Sequence, residues 1–228
     1  MTGRESGILI TEDIFRSDWV FLLLIVPVLL YLLVSTVDKY SLTRIIKIVF
    51  SNKFSSSKYR MITPGNEFFQ MMLGILSLIS ISTWLYFLEL YFDLHFFGLN
   101  DYRLWLFNLL LAVLAIAFRY VINKMVALIS RSQDSFSEYF FNISRSYKLM
   151  GISLMIFNFF ISYMVSIPDK YLVYISLLFV SILVLLRVIR FFYIFMKRRF
   201  SLFYMILYLC ALEIFPVLLL IKYLEGQV

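Results

Sequence analysis

The stretch LFYMILYLCALEIFPVLLLIKYL, residues 202–224, decides how the rest of the chain is read. At about 1.5 Å per residue it is long enough to cross the roughly 30 Å hydrocarbon core of a bilayer, yet Glu213 falls about 17 Å along it, close to the midplane. Pro216, within the next turn, removes a backbone donor and deprives the Leu212 carbonyl of its usual helical partner. An acid and a helix defect in one turn of an apolar span mark a polar position that needs a reason.

The composition around that stretch makes the membrane reading general. The chain has 228 residues, 62% hydrophobic and 15% charged, with a mean hydropathy of +0.90. Soluble domains carry about 25% charged residues. Apolar runs recur along nearly the whole length, so residues 1–228 read as a single all-α membrane domain without room for a soluble core. Six transmembrane helices are expected at about 19–37, 68–92, 104–127, 149–166, 171–195 and 202–224. The start MTGRESGILITEDIFRSDW has no basic leader and carries Glu5, Glu12, Asp13 and Asp18, so the first span is expected to persist in the mature protein. Cys210 is the single cysteine, which rules out an intrachain disulfide.

Charge orients the spans. The connection 38–66 contains Lys39, Arg44, Lys47, Lys53, Lys58 and Arg60, and within it Leu42, Ile45, Ile46, Val49 and Phe50 recur at helical spacing. This reads as a basic amphipathic helix lying on anionic lipid at the cytoplasmic surface; the apolar stripe beside a span argues against nucleic acid as the partner of those charges. The three connections on that side, taken with the adjoining ends of the spans, hold 6, 5 and 5 Lys or Arg, against five on the other side: Arg4, Arg16, Arg103, Lys170 and Lys222. Both termini are therefore expected outside the cytoplasm. In the second span Gly74, Ser77, Ser80 and Thr83 recur every three residues, a small-residue face on which another helix can approach closely.

The chain offers little material for catalysis. His95 is the one histidine, and with Asp93 and Asp101 it lies in a short loop without the fixed spacing of a metal site. Phosphate loops, nucleophile elbows and paired-histidine helices are absent from the sequence. No enzyme activity, metal or cofactor is expected. Among polar residues inside spans, Glu89, Arg119, Arg187 and Arg190 are placed near enough to an interface to stay hydrated or to snorkel, whereas Asn158 comes nearest in depth to Glu213. A protonated Glu213 bonding Asn158, or a carbonyl loosened by Pro216, is the structural expectation.

The order of features resembles a family of six-span bacterial inner-membrane proteins carried as a domain of unknown function. The likeness rests on the acidic start leading into Trp19, on RIIKIVFSNKF followed by Arg60 and Pro64, and above all on the ending YLCALEIFPVLLLIK, where Tyr208, Cys210, Glu213, Pro216 and Lys222 carry it. The resemblance implies a bacterial inner membrane and no particular chemistry. The expected function is a non-enzymatic subunit or assembly factor of an envelope or protein-export complex, with other membrane subunits as partners. A small proton-coupled transporter using Glu213 is the alternative.

The orientation is checked by cysteine accessibility in a Cys210→Ala background. A cysteine at Ser56 should be shielded from an impermeant reagent in intact cells and one at Gly226 labelled; the reverse pattern would invert every loop.

Overall fold

The computed structural model describes Phe15 and residues 18–37, 67–93, 102–129, 133–164 and 167–197, with side chains described throughout except at 18, 37, 67, 123, 125–129, 133–142 and 190–197. These residues form five α-helices: α1 Asp18–Val37, α2 Glu67–Tyr91, α3 Tyr102–Ile129, α4 Gln133–Tyr163 and α5 Asp169–Lys197. Four contain stretches long and apolar enough to cross a membrane, Trp19–Thr36, Phe68–Tyr91, Tyr102–Ile122 and Asp169–Ile189. The expectation of six spans is thus met at four. α4 falls short because Lys148 and Asn158 dilute its apolar run, and the sixth span, with Glu213 and Pro216, lies outside the described residues. So does the basic connection 38–66, with Arg44, Lys47, Lys53, Lys58 and Arg60.

Helix boundaries follow local chemistry. α2 opens at Glu67, directly after the turn-forming run TPGN. It closes with Phe92 N donating to Leu88 O at 2.9 Å and with Asp93 in the left-handed region at φ 55, a conformation that a short polar side chain tolerates. Pro168 precedes α5, where its missing donor costs nothing, and its carbonyl accepts from the Tyr171 amide at 3.0 Å. Pro27 sits inside α1, which continues through it.

One departure from expectation matters for the site. The run RSQDSFSEYFFNISRSYK lies between the expected third and fourth spans, in the second basic connection, yet α4 begins at Gln133. Lys148 and the residues just before it therefore belong to a helix packed on its neighbours.

α2 is the axis of the bundle, in contact with α1, α3 and α4, while α5 packs on α4. α2 and α4 run in the same direction, since Gln70 meets Lys148, Ser77 meets Gly151 and the Ser80 carbonyl meets Asn158. Their approach is close: a Cβ placed on Gly151 would lie 2.3 Å from Ser77 Cα, so only glycine fits. Ser77 and Thr83 turn their hydroxyls back onto the carbonyls of Leu73 and Ile79, at 2.7 and 2.9 Å, which removes the cost of burying them. Thr83 also accepts a bond from Trp105 Nε1 of α3 at 3.2 Å. The small-residue face read in the sequence is thus a helix-packing face at Ser77, Ser80 and Thr83.

Among the described residues the core has two layers. At one end Val20 and Leu24 of α1, Trp84, Tyr86 and Phe87 of α2, Leu104 of α3, Leu154 and Ile161 of α4, and Leu172 and Val173 of α5 are buried together. Trp19 meets Tyr86 edge-on at 5.1 Å, and Phe15 meets Phe87 at 5.8 Å. At the other end Val34, Leu73, Leu76, Leu149 and Ile152 form a smaller cluster.

Candidate functional site

Polar side chains inside the bundle fall at three levels, and at each they join helices. At the aromatic end, Asn108 Nδ2 donates to Glu89 Oε2 at 2.6 Å, and Trp84 Nε1 donates to Ser176 Oγ at 2.9 Å. Glu89 was expected to stay hydrated near the surface, but it is 9% exposed and held by α3. The correction has a plain cause: Glu89 lies on the face of α2 that meets α3, and Asn108, six residues into α3, comes level with it.

In the middle, Asn158 is buried, as the sequence led us to expect, but the partner it shows is on α2. Its Nδ2 donates to the Ser80 carbonyl at 2.8 Å. Asn158 Oδ1 and Ser80 Oγ are buried and make no hydrogen bond among the described residues. Whether Glu213 and Pro216 approach Asn158 lies outside the described residues.

The third level is a basic one, and the sequence reading missed it as a site. Arg119 of α3 and Arg187 of α5 meet Tyr147 of α4 there, and Arg145 and Lys148 of α4 are buried close by. Arg119 Nη1 donates to Tyr147 Oη at 2.6 Å, and the Arg187 guanidinium lies 4.8 Å from the centre of the Tyr147 ring. Lys148, 8% exposed, donates from Nζ to Gln70 Oε1 at 2.6 Å; Arg145 is 7% exposed. Arg119 and Arg187 had been assigned to snorkelling, and Lys148 to a loop. Their convergence on one tyrosine follows from α4 starting at Gln133, which turns Tyr147 and Lys148 into the bundle.

Beside this cluster α2, α3 and α4 leave a cavity of about 180 Å³. α2 contributes Gly74, Ser77, Leu78 and Ile81; α3 contributes Ile116 and Arg119; α4 contributes Ile143, Ser144, Tyr147 and Lys148. Gly74 explains why there is space, since a Cβ there would meet nothing within 4 Å. Gly151 and Gly74 thus have opposite roles: Gly151 permits contact and Gly74 lines a void. Among the described residues no Asp or Glu lines the cavity, and no group of three His, Cys, Asp or Glu comes together to hold a metal.

Fold and site together define an all-α protein with four described helices suited to a membrane, tied at three depths by polar side chains and bearing a basic cavity at one end. The family model described as a domain of unknown function (DUF4271) matches residues 20–224, nearly the whole chain, and the chain belongs to that family. Neither a curated protein nor a solved structure matches it.

Proposed function

We propose that this chain is a non-enzymatic, six-span protein of the bacterial inner membrane, with both termini outside the cytoplasm, serving as a subunit or assembly factor of an envelope or protein-export complex. The observation that supports it is the outward face of α3. Only 6% of Tyr102–Ile122 is buried, against 50% of Phe68–Tyr91 in α2. Leu106, Leu110, Leu114 and Phe118 follow one another every four residues along α3 and are 56–63% exposed. A ridge of large side chains at that spacing is the shape a partner helix takes into its groove. The described polar groups are meanwhile spent on joining this chain's own helices, as befits a scaffold. Orientation and compartment rest on the charge asymmetry and the family resemblance.

Purification of the tagged chain from native-level expression in mild detergent is the test. Stoichiometric membrane-protein partners are expected, and they should be lost when Leu110 and Leu114 are both changed to Ala. A monodisperse monomer without partners contradicts the proposal.

Asn158 favours a second reading. Its buried Oδ1 is an acceptor without a donor among the described residues, at the depth where the sequence places Glu213, and a protonated carboxyl would supply that donor. A proton-coupled transporter would use this pair. In liposomes carrying a pH-sensitive dye, this reading expects proton flux that Glu213→Gln abolishes; no flux from the wild-type chain, or flux unchanged by the substitution, contradicts it.

A further inference from the structure

The cavity beside the basic cluster joins two kinds of surface that rarely occur together. Its floor is apolar, made by Leu78 and Ile81 of α2 and Ile116 of α3, with Gly74 withholding a side chain. One end carries Arg119 and Lys148. Lys148 is a buried cation that donates to the neutral Gln70 amide, and among the described residues no Asp or Glu lines the cavity beside it. Buried cations in apolar surroundings are costly unless an anion compensates them.

Depth indicates the source of that anion. Gln70 is three residues from the start of α2, about 4.5 Å along the axis, and Arg119 is about 25 Å from the opposite start of α3. Both place the charged end of the cavity at one edge of a roughly 30 Å hydrocarbon layer, the level of lipid phosphates, with the apolar floor running inward from it. Arg presents a fork suited to phosphate oxygens and Lys a point charge, and basic pockets between membrane helices bind acidic head groups. Size argues the same way. Soluble ligands occupy sites of about 300–1,000 Å³, which a cavity of about 180 Å³ does not reach, whereas a lipid needs to insert only part of itself.

We propose that this cavity is a binding site for one anionic phospholipid, its phosphate on Arg119 and Lys148 and part of an acyl chain lying along Gly74, Leu78, Ile81 and Ile116. The site is separate from the surface contact expected of residues 38–66, because it is built from packed helices and takes a single lipid in a fixed place. It holds whether the chain is a scaffold or a transporter.

Native mass spectrometry of the full chain, delipidated in mild detergent and then titrated, tests it with dioleoyl-phosphatidylglycerol, dioleoyl-phosphatidylcholine and inorganic phosphate as probes. One phosphatidylglycerol per chain is expected to bind at least tenfold more tightly than phosphatidylcholine. Arg119→Gln with Lys148→Gln should remove that preference, while Lys170→Gln, exposed at the far end, should keep it. Gly74→Leu fills the cavity without touching a charge and should also lower phosphatidylglycerol occupancy at least tenfold, which keeps the test decisive if the charge variant fails to fold. Equal binding of the two lipids, undiminished binding to Gly74→Leu, or displacement of the lipid by millimolar inorganic phosphate would each overturn the proposal, the last in favour of a soluble anion.

Discussion

The contact between Gly151 and Ser77 is the constraint on which the rest of the bundle depends. With no side chain on Gly151, α4 lies directly on the backbone of α2 at that level. Only at such a distance can Asn158 reach the Ser80 carbonyl above the contact and Lys148 reach the Gln70 amide below it. Inside a membrane, helices gain nothing by hiding apolar surface from one another, because lipid is equally apolar. Close backbone packing and interhelical hydrogen bonds are what remain, the bonds contributing about 0.6 kcal/mol each on average. A crossing between two small residues, with a polar tie on either side, is an arrangement those limits favour.

From that crossing the bundle opens unequally. Toward the aromatic end, α1, α3 and α5 close around α2 with Trp84, Tyr86, Phe87 and the Glu89–Asn108 bond, so large side chains fill the space that small ones leave at the crossing. Toward the basic end the filling is thinner. Gly74, one turn before Ser77, has no neighbour within reach, and α3 stands off far enough for Arg119 to meet α4 through Tyr147. The same preference for small residues on α2 produces tight packing where α4 supplies a glycine, and a cavity where α4 supplies Ser144 and Tyr147. That asymmetry concentrates the cations beside empty apolar volume.

Much of this was legible in the sequence, and the failures are specific. Apolar length announced helices at α1, α2, α3 and α5, and the three-residue spacing of Gly74, Ser77, Ser80 and Thr83 announced a packing face, because period and side-chain size are local properties. The start of α4 was not legible. Its first turns, QDSFSEYFF, carry no apolar surplus, so apolar length alone starts the fourth span at Leu149 and leaves Tyr147 and Lys148 in a connection. The cluster around Tyr147 draws on α3, α4 and α5, and the Glu89–Asn108 bond on α2 and α3; which faces meet is a tertiary fact that one sequence does not encode in any local pattern. Continuing the helical period backwards from Leu149 would have placed Tyr147 and Lys148 on a helix, though without naming their partners.

The two glycines allow the most direct measurement of this account, since one substitution is chemically the same at both. Gly151→Ala drives a Cβ into Ser77 and should destabilise the chain by about 1–3 kcal/mol in SDS-titrated unfolding from mixed micelles. Gly74→Ala meets open space, and alanine's better helix propensity should leave stability unchanged or raise it by up to about 1 kcal/mol. Equal effects at the two positions, or a larger loss at Gly74, would contradict a bundle built on the α2–α4 crossing.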